Sequence, residues 1–443
     1  MAIKVSAKDL KNKIEKCQSK VAVVGMGYVG LPLSLGFAEA GFLTFGFDTN
    51  KDRVLRLARG ISPIHYLLSS RIKSVLSKHK FVPTCDTKIL NDADCIVICV
   101  PTPLTENREP DLGMIKNASE TVAKHLRPGQ LIVLESTSYP GTTEEVLLPI
   151  LLKSGLKQAK DFWVAFSPER EDPGNKRYHI DSIPKIVGGI DKVSGELASV
   201  LYGKIVGKVV PVSSTRVAEA AKILENTYRA VNVALVNELK MLFNRMGINV
   251  WEVIDAASTK PFGFQSFYPG PGLGGHCIPV DPFYLSWKAR SYDFQAQFIE
   301  LAGEINTRMP EYVLEQTIAA LNEQEKCLKG ARVLVLGVAY KKDIEDIRES
   351  PALTFIRLLE QNGAKVSYYD PMVPVLAASH GISRKYHSCS LSAKSVRESD
   401  CVVIITDHTN VDYGLVAKNA KIIVDTRFVI KDTSKVKGYL RRA

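Results

Sequence analysis

One cysteine lies in a segment rich in glycine and proline, "PGPGLGGHCIPVDP", at residues 269–282. Glycines at 270, 272, 274 and 275 precede Cys277, and glycine permits both positive φ angles and the close approach of a ligand. A free thiol, with a pKa of about 8.5, must become more acidic to act as a nucleophile at neutral pH. Asp281, four residues later, could act as a base or as an orienting group. The pattern favours a nucleophilic Cys277 over the alternative, a buried thiol that only fills space.

The segment "AAKILEN" places Lys222 and Asn226 four residues apart in a long helical pattern, and Glu225 and Arg229 have the same spacing. Side chains at this spacing share one face of a helix. Lys222 and Asn226 could therefore donate hydrogen bonds to one oxygen that becomes negatively charged in a reaction. A solvated helix surface is the competing interpretation for these polar side chains.

The segment "VAVVGMGYVGLPL" places Gly25, Gly27 and Gly30 directly after a predicted strand and at the start of a predicted helix. This spacing allows a tight turn, close approach of a pyrophosphate and its binding at the helix N-terminus. Asp48 ends the next predicted strand, where a carboxylate binds the ribose hydroxyls of adenosine and repels a 2′-phosphate. We therefore predict NAD rather than NADP as the cofactor, with Arg53 able to pack along the adenine.

Two further polar clusters follow predicted strands, where ligands bind in open α/β sheets. "ESTSYPGT" contributes Ser136 and Thr137, and "SPER" contributes Glu169 and Arg170. Taken alone, each cluster is as typical of an ordinary loop or helix cap as of a functional site.

The elements that must position these residues alternate between short apolar runs and helical patterns, which is typical of parallel βαβ units. An unbroken helical pattern runs from Ser213 to Gly247, and at 1.5 Å per residue it would span roughly 50 Å. The predicted strands are Val21–Val24, Leu43–Asp48, Cys95–Val100, Leu131–Glu135, Trp163–Phe166 and Lys185–Val187 before that helix, and Val333–Val338, Lys365–Tyr369, Cys401–Thr406 and Lys421–Val424 after it.

This order predicts an α/β protein with two Rossmann-like doubly wound domains joined by a long central helix. We place an NAD-binding domain at residues 1–212, a helical connector with the cysteine loop at 213–315, and a second Rossmann-like domain at 316–443. The second domain has Gly337 after its first strand but no glycine triplet, so we expect the fold there without the cofactor site.

Composition excludes several classes of protein. The chain has 443 residues with 45% hydrophobic and 24% charged residues, which indicates a globular protein rather than a disordered or collagen-like one. Its net charge of +11 favours anionic partners, but the basic residues are scattered, so we predict a phosphate-bearing ligand and no nucleic acid. The cysteines form no CxxC pair, which argues against a metal site or a disulfide framework.

An uncharged run, Val21–Ala38, could be taken for a membrane anchor. Four glycines and Pro32 interrupt the run, and the dinucleotide pattern already explains its glycines. We therefore predict no membrane segment and a cytoplasmic protein.

Together the motifs resemble those of the UDP-glucose/GDP-mannose dehydrogenase family, which oxidises nucleotide sugars at C6. The segments that carry the resemblance occur in the family's order between Val21 and about Arg427: GMGYVGLPL, VPTP, ESTSYPGT, SPER, AAKILEN, GPGLGGHCIPVD and GVAYKKDIEDIRESPAL.

The resemblance implies that a primary alcohol becomes a carboxylate at the expense of two NAD. Cys277 would capture the intermediate aldehyde as a thiohemiacetal, which is oxidised to a thioester and hydrolysed. Lys222 would act in proton transfer and oxyanion stabilisation with Asn226 as the second donor, and Asp281 would support Cys277. Glu169 and Thr137 would position or activate the hydrolytic water.

The same resemblance assigns binding residues. Those implied for NAD are Gly25, Met26, Gly27, Tyr28, Val29, Gly30, Asp48, Arg53, Pro101, Thr102, Ser136, Thr137 and Arg348. Those implied for the UDP-sugar are Glu169, Arg170, Lys222, Asn226, Arg229, Tyr268, Gly272, Gly274, Tyr340, Lys341 and Arg427.

The resemblance also implies a homodimer, built on the central helix and open to higher assembly. The SPERED run and the loop before Cys277 look most like the branch that acts on UDP-N-acetylglucosamine. UDP-glucose, UDP-GalNAc and UDP-ManNAc remain alternatives. Two other hypotheses are an ordinary two-electron dehydrogenase in which Cys277 is a spectator, and an NAD-binding regulatory protein without catalytic activity.

Overall fold

The computed structural model describes residues 6–64, 67–105, 107–170, 181–275, 278–378 and 381–443. Its contacts divide the chain into two compact units. The first contains Met1–Glu225 and Phe283–Phe294, and the second contains Asn226–Pro282 and Gln295–Ala443. The three-part division of the chain at residues 212 and 315 stays a prediction.

A twisted sheet forms the centre of the first unit, and helices cover both of its faces. Its strands are β1 (Lys20–Val24), β2 (Leu43–Phe47), β3 (Phe81–Thr84), β4 (Cys95–Ile98), β5 (Gln130–Leu134), β6 (Phe162–Phe166), β7 (Lys185–Gly189) and β8 (Val209–Val212). Their order is β3-β2-β1-β4-β5-β6-β7-β8, and the described pairs are parallel except for the antiparallel pair of β6 and β7. All residues of β4, β5 and β6 are buried, as expected for strands covered on both faces.

The helix that follows the glycine turn explains the long uncharged run. This helix, α2, is buried along most of its length, with Leu31, Leu35 and Phe37 fully inaccessible to solvent. In the part of the chain that the structure describes, no helix has the length and apolar character needed to span a membrane. The helices of this part are α1 (Ala7–Glu15), α2 (Gly30–Glu39), α3 (Lys51–Ala58), α4 (Ser69–Ser77), α5 (Ile89–Asp92), α6 (Gly113–Lys124), α7 (Leu148–Leu152), preceded by a π-helical turn (Thr143–Leu147), and α8 (Lys192–Tyr202).

The predicted long helix is present. Helix α9 (Thr215–Arg245) has 31 residues, about 46 Å at 1.5 Å per residue. It ends two residues before Gly247, whose φ of +72° suits a residue just beyond a helix C-terminus. The helices that follow it are α10 (Val250–Ser258), α11 (Asp281–Arg290) and α12 (Gln297–Asn322).

A second parallel sheet forms the centre of the second unit. Its strands are β9 (Arg332–Leu336), β10 (Lys365–Tyr369), β13 (Cys401–Ile404), β14 (Ile422–Asp425) and β15 (Tyr439–Arg442), in the order β10-β9-β13-β14-β15. A small antiparallel pair, β11 (Val375–Leu376) and β12 (Tyr386–His387), lies apart from that sheet. The remaining elements are α13 (Pro351–Gln361), α14 (Ala393–Glu398), α15 (Tyr413–Asn419) and a 3-10 turn (Thr433–Lys435). The prediction of two Rossmann-like units in an α/β chain is confirmed.

Sequence patterns missed three strands at the edges of these sheets. The edge strands β3 and β8 contain Pro83 and Pro211, and β15 contains Arg441 and Arg442. Proline is tolerated at a sheet edge because its missing N–H is not needed by a neighbour, and edge strands need no continuous apolar run. Three cysteines lie in this apolar core: Cys95 in β4, Cys401 in β13, and Cys99 directly after β4.

Candidate active site

The glycine turn after β1 has the shape that a dinucleotide needs. Gly25 has a φ of +99°, and a Cβ added to it would lie 2.5 Å from the Cys99 carbonyl oxygen. A Cβ on Gly30 would lie 1.8 Å from the Gly25 oxygen. Gly27, by contrast, has no atom within 4 Å of the position of a Cβ. Two glycines are thus required by packing and the third borders open space, which fits a bound pyrophosphate.

A buried carboxylate lies beside this turn. Asp48 follows β2 directly and is 6% exposed. Its Oδ2 accepts the N–H of Met26 at 2.8 Å and a hydrogen bond from Arg53 Nη1 at 2.7 Å. Its Oδ1 accepts the N–H of Asn50, the residue that caps the N-terminus of α3. The open space at Gly27 and this anchored carboxylate fit NAD, with the carboxylate available to ribose hydroxyls.

The ends of β4 and β5 are tied together by one hydroxyl. Ser136 Oγ accepts the N–H of Val100 at 2.9 Å and donates to the Val100 carbonyl at 2.8 Å. The Thr102 carbonyl accepts a hydrogen bond from the Tyr284 hydroxyl. Ser136 therefore holds the loop that contains Pro101 and Thr102, and half-buried Thr137 follows it.

Two of the predicted catalytic residues in the first unit face each other, one after β6 and one on α9. Glu169 follows the end of β6, and its Oε2 lies 4.0 Å from Nζ of Lys222. Both side chains are largely buried, with exposures of 14% and 7%. A lysine that faces a carboxylate at the carboxyl end of a parallel sheet can exchange protons with a bound ligand.

Arg170 has a different role from that of its neighbour Glu169. Its Nη2 lies 2.8 Å from Glu225 Oε1, and its Nη1 donates to the Pro184 carbonyl at 2.6 Å. Glu225 and Arg229 lie four residues apart on α9, as predicted, and Arg229 is exposed. The ion pair of Glu225 is with Arg170, which lies on another element.

In the second unit, Asn226 and Asp281, which the sequence had predicted separately as site residues, are in direct contact. Asn226 Nδ2 donates to Asp281 Oδ2 at 2.6 Å, and the residues are 7% and 1% exposed. One N–H of the Asn226 amide is therefore used to hold the carboxylate that begins α11. The nucleophile candidate Cys277, with His276, lies outside the described residues, so its role stays a prediction.

The glycine-rich loop packs tightly against the segment after β9. A Cβ on Gly274 would lie 2.5 Å from Cβ of Tyr340, and Gly275 donates its N–H to the Arg348 carbonyl at 2.9 Å. Gly272 has a φ of +133°. Glycine is required at these positions because the two segments approach too closely for side chains.

Arg427, another residue predicted for the UDP-sugar, also approaches this loop. A Cβ on Gly270 would lie 2.6 Å from Nη1 of Arg427, whose Nε donates to the Ile405 carbonyl. Burial lowers the pKa of Arg427, although a guanidinium stays charged at any physiological pH. Tyr268 is 48% exposed and its hydroxyl donates to Asp255 at 2.6 Å. Lys341 follows Tyr340 and is half-buried.

Arg348, predicted to bind NAD, pairs within its own segment. Its Nη2 lies 2.6 Å from Asp346 Oδ2, and its side chain is 43% exposed. Its backbone carbonyl holds Gly275, as described above. This arrangement assigns the backbone of Arg348 to the loop and leaves its binding role a prediction. Within the described residues, no cluster of three or more His, Cys, Asp or Glu side chains could hold a metal ion.

Sequence reasoning missed a buried ion pair in the first unit. Glu135 precedes Ser136 and is 2% exposed, and Lys185 begins β7 and is 7% exposed. Lys185 Nζ lies 3.0 Å from Glu135 Oε1, which also accepts the Tyr202 hydroxyl at 2.5 Å. The sequence contained a pattern that could have revealed both residues. Glu135 directly follows the buried strand β5, and Lys185 is the charged first residue of the buried strand β7.

Profiles of one protein family match three successive parts of the chain. The NAD binding domain of the UDP-glucose/GDP-mannose dehydrogenase family matches residues 19–206, its central domain 216–308, and its UDP binding domain 334–432.

Individual relatives have the same arrangement. A UDP-N-acetyl-D-glucosamine 6-dehydrogenase of Pseudomonas aeruginosa is 40% identical over 363 residues, which cover 82% of this chain and 85% of that protein. A protein of the same name from Salmonella typhi is 34% identical, with coverage of 93% and 96%. Among solved structures, the UDP-D-ManNAc dehydrogenase of Pyrococcus horikoshii is 34% identical with a TM-score of 0.85, covering 95% of this chain and 98% of that one.

Proposed function

Because the chain belongs to the UDP-glucose/GDP-mannose dehydrogenase family and is an NAD-dependent UDP-sugar dehydrogenase, we propose that it converts UDP-N-acetylglucosamine to the corresponding uronate. The observation that carries this chemistry is the buried pair of Lys222 and Glu169, 4.0 Å apart at the end of β6. The choice of sugar is supported by the relatives from Pseudomonas and Salmonella, which carry this substrate in their names.

The reaction removes four electrons from one carbon. Oxidation of the C6 alcohol to a carboxylate consumes one water molecule and two NAD, and it releases two NADH and three protons. NAD, when bound, supplies the acceptor for one hydride in each of the two oxidations. The protein must therefore move protons away from the substrate oxygen and must keep the intermediate aldehyde from escaping.

Lys222 and Cys277 act in the first half of the reaction. Lys222 accepts the alcohol proton during the first oxidation, directly or through water, and then faces the aldehyde oxygen with Asn226 as the second donor. The Cys277 thiolate forms a C–S bond to the aldehyde carbon, and the oxygen takes back a proton to give a thiohemiacetal. Asp281, held by Asn226 at 2.6 Å, supports the chemistry beside Cys277. Covalent capture divides one difficult oxidation into two easier steps.

The second half converts the thiohemiacetal to product. Loss of a second hydride and of the hydroxyl proton gives a thioester. Water then forms a C–O bond, the C–S bond breaks, and the thiolate leaves. Glu169 takes one proton from the water, and the second is released to solvent as the product becomes the carboxylate. Thr137 helps to position the water.

For NAD we propose the turn Gly25–Gly30 together with the other residues that the family resemblance implies. Among them, Asp48 is held in place by hydrogen bonds from Met26, Asn50 and Arg53. For the UDP-sugar we propose the loop that contains Tyr268, Gly272 and Gly274. The remaining substrate-binding residues are Arg170, Arg229, Tyr340, Lys341 and Arg427. Their positive charges suit a diphosphate.

We further propose a homodimer formed through α9. Exposed apolar side chains recur along this helix at intervals of seven and four residues, which keeps them on one face and is typical of a helix that packs against another. Leu224 is 66% exposed and Leu235 is 51% exposed. The set on α9 is Val217, Leu224, Tyr228, Leu235 and Leu242, and exposed Met246 directly follows the helix.

A product assay tests the proposal. The protein is mixed with excess NAD and, separately, with UDP-GlcNAc, its galacto and manno epimers, and UDP-glucose, and NADH and uronate are counted by optical absorbance and mass spectrometry. We expect two NADH per uronate, with UDP-GlcNAc the preferred substrate. One NADH per substrate, or an accumulating aldehyde, would contradict the covalent scheme and favour a two-electron dehydrogenase.

The variant Cys277→Ser tests the nucleophile, with Cys327→Ser, an exposed cysteine, as its control. Uronate formation should be lost only in the first variant. Preference for UDP-ManNAc over UDP-GlcNAc would support the second candidate substrate, which the similarity to the Pyrococcus structure favours.

A further inference from the structure

A buried carboxylate on α9 has no role in the reaction described so far. Glu219 is 1% exposed and lies three residues before Lys222, so the two side chains share one face of the helix. Its Oε2 accepts the N–H of Gly141 at 2.5 Å. Its Oε1 accepts the N–H and the hydroxyl of Thr143 at 2.9 and 2.7 Å. Donors from one loop of the first unit therefore converge on a carboxylate of another element.

The loop that Glu219 holds carries Thr137. At one end of residues 137–140, Ser136 is tied to the end of β4 through its two hydrogen bonds with Val100. At the other end, Gly141 is tied to α9 through Glu219. The position of Thr137 relative to Lys222 is therefore fixed from both sides, by Ser136 and by Glu219.

The same contact caps a short helical segment that has no cap of its own. Thr143 begins the π-helical turn before α7, and the side chain of the preceding residue, Thr142, does not cap this turn. Backbone N–H groups at the start of a helix carry partial positive charge, so an ionised carboxylate binds them more strongly than a neutral acceptor does. The negative charge of Glu219 therefore stabilises the attachment of the loop to α9.

The surroundings of Glu219 make this charge sensitive to pH near neutrality. Burial raises the pKa of Glu219 to about 7 and the charge of Glu144 adds to the rise, whereas the hydrogen bonds from Gly141 and Thr143 oppose it. The other titratable groups around this contact are Tyr139, Glu145, Arg216, Lys222 and Lys288. Among the described residues, the cations of this set pair with Glu144, Glu145 and Glu169 instead of Glu219.

We propose that Glu219 is a positioning residue whose ionised carboxylate holds the loop that carries Thr137 against the face of α9 that carries Lys222. This inference rests on the proposed function, in which Thr137 positions the water and Lys222 exchanges protons. Protonation of Glu219 weakens its hydrogen bonds to the loop, because hydrogen bonds to an ionised acceptor are roughly twice as strong as those to a neutral one. Turnover therefore slows when Glu219 gains a proton.

Glu219→Gln gives the uncharged form at every pH and tests the proposal with UDP-GlcNAc and saturating NAD. At about pH 8.5, kcat for NADH formation should be about tenfold or more below that of the wild type, because Thr137 is no longer held in place. At about pH 5.5 the two values of kcat should converge, since the wild-type carboxylate is then also neutral. The ratio of wild-type to variant kcat should thus rise with pH around a midpoint of about 7.

This ratio cancels the titration of every group that the two enzymes share. Glu196→Gln, at an exposed site on α8, should match the wild type across the whole pH range.

Thr143 provides a second test from the other side of the contact, which remains decisive if Glu219→Gln does not fold. Thr143→Val removes the hydroxyl that donates to Glu219 Oε1 and should lower kcat at about pH 8.5 several-fold. Thr143→Ser keeps the hydroxyl and should retain most of the wild-type kcat. Urea unfolding of both variants separates this effect from a loss of stability.

A ratio that stays constant with pH, or a wild-type kcat in Glu219→Gln at about pH 8.5, would overturn the inference. Equal values of kcat in Thr143→Val and Thr143→Ser would do the same. If the wild type instead fails to make two NADH per uronate, the proposed function itself fails. The pH dependence of the ratio, measured with whichever UDP-sugar is oxidised, still decides whether the charge of Glu219 supports turnover.

Discussion

The guanidinium of Arg53 donates to Asp48 across 2.7 Å, and the same carboxylate oxygen accepts the N–H of Met26 at 2.8 Å. This pair fixes a negative charge beside the glycine turn and partly balances it. The carboxylate thus keeps the position needed by ribose hydroxyls, while its other oxygen accepts from Asn50. Because the guanidinium of Arg53 is paired with Asp48, an arginine five residues after this carboxylate is compatible with NAD as the cofactor.

Asp48→Asn should raise the dissociation constant for NAD about 10–100-fold. This is the effect expected from the loss of one hydrogen bond to a charged group. At saturating NAD, kcat should change little because the substituted group lies far from the reacting carbon. Initial rates against NAD concentration measure this. Asp52→Asn, which changes an exposed carboxylate on α3, should leave the KM for NAD unchanged. An equal effect of the two variants would contradict the role of Asp48.

Gly27→Ala should weaken NAD binding without a loss of stability, whereas Gly30→Ala should lower the free energy of unfolding. A Cβ on Gly27 meets no atom within 4 Å, so the free energy of unfolding should stay within about 0.5 kcal/mol of wild type. NAD binding should nevertheless fall about tenfold or more, because the methyl group occupies the approach of the pyrophosphate. Gly30→Ala should lower stability, since its Cβ would lie 1.8 Å from the Gly25 oxygen. Urea unfolding and NAD titration of both variants check this, and unchanged NAD affinity in Gly27→Ala would place the cofactor elsewhere.

Lys222→Met should reduce kcat by about 10²–10⁴, the usual contribution of a positioned acid or base. The KM for NAD should change much less, because the glycine turn is distant in sequence and intact. Lys208→Met, at an exposed site, serves as the control. A Lys222→Met enzyme with normal kcat would show that the pair with Glu169 is only structural.

Lys240 should make stability depend on pH. Burial lowers its pKa from 10.5 to about 7, and its Nζ lies 4.6 Å from the centroid of the Trp251 ring. Between these two pKa values the unfolded chain binds more protons than the folded one, so the free energy of unfolding from this group rises with pH. The slope is at most about 1.4 kcal/mol per pH unit.

Lys240→Met should remove that rise, whereas Lys418→Met, at an exposed site, should retain it. Urea unfolding between about pH 7 and about pH 9 measures the slopes. Identical slopes in wild type and Lys240→Met would show that Lys240 does not lose its proton on folding in this range.

Leu224→Glu/Leu235→Glu should convert a dimer to a monomer. The two leucines are 66% and 51% exposed on α9, and charges placed in an apolar interface disfavour association. Sedimentation velocity gives the oligomeric state. Met114→Glu, at an apolar site on α6 with 46% exposure, controls for a general effect of added charge. A double variant that remains dimeric would exclude this surface as the interface.

Local spacing was sufficient to predict several features of this protein. The glycine turn, the carboxylate of Asp48 and the long helix are each determined within about 35 residues, over which chain geometry alone sets what can meet. The predicted strands were found because central strands are buried on both faces and keep continuous apolar runs. The edge strands β3 and β8 lacked that signal, since one side of an edge strand is free to contain proline.

Contacts between distant parts of the chain were decided only by tertiary structure. Glu169 meets Lys222 and Glu135 meets Lys185 because the order of strands brings their ends together, and no periodicity in the sequence records that order. The four-residue spacing placed Glu225 and Arg229 on one face of α9, but it could not predict that Glu225 pairs with Arg170, which approaches from another element. The sequence thus determined which polar and charged groups are available for chemistry. The packing of the sheet against the helices decided which of these groups are partners. The physical reason is that a buried charge is stable only where a complementary group faces it.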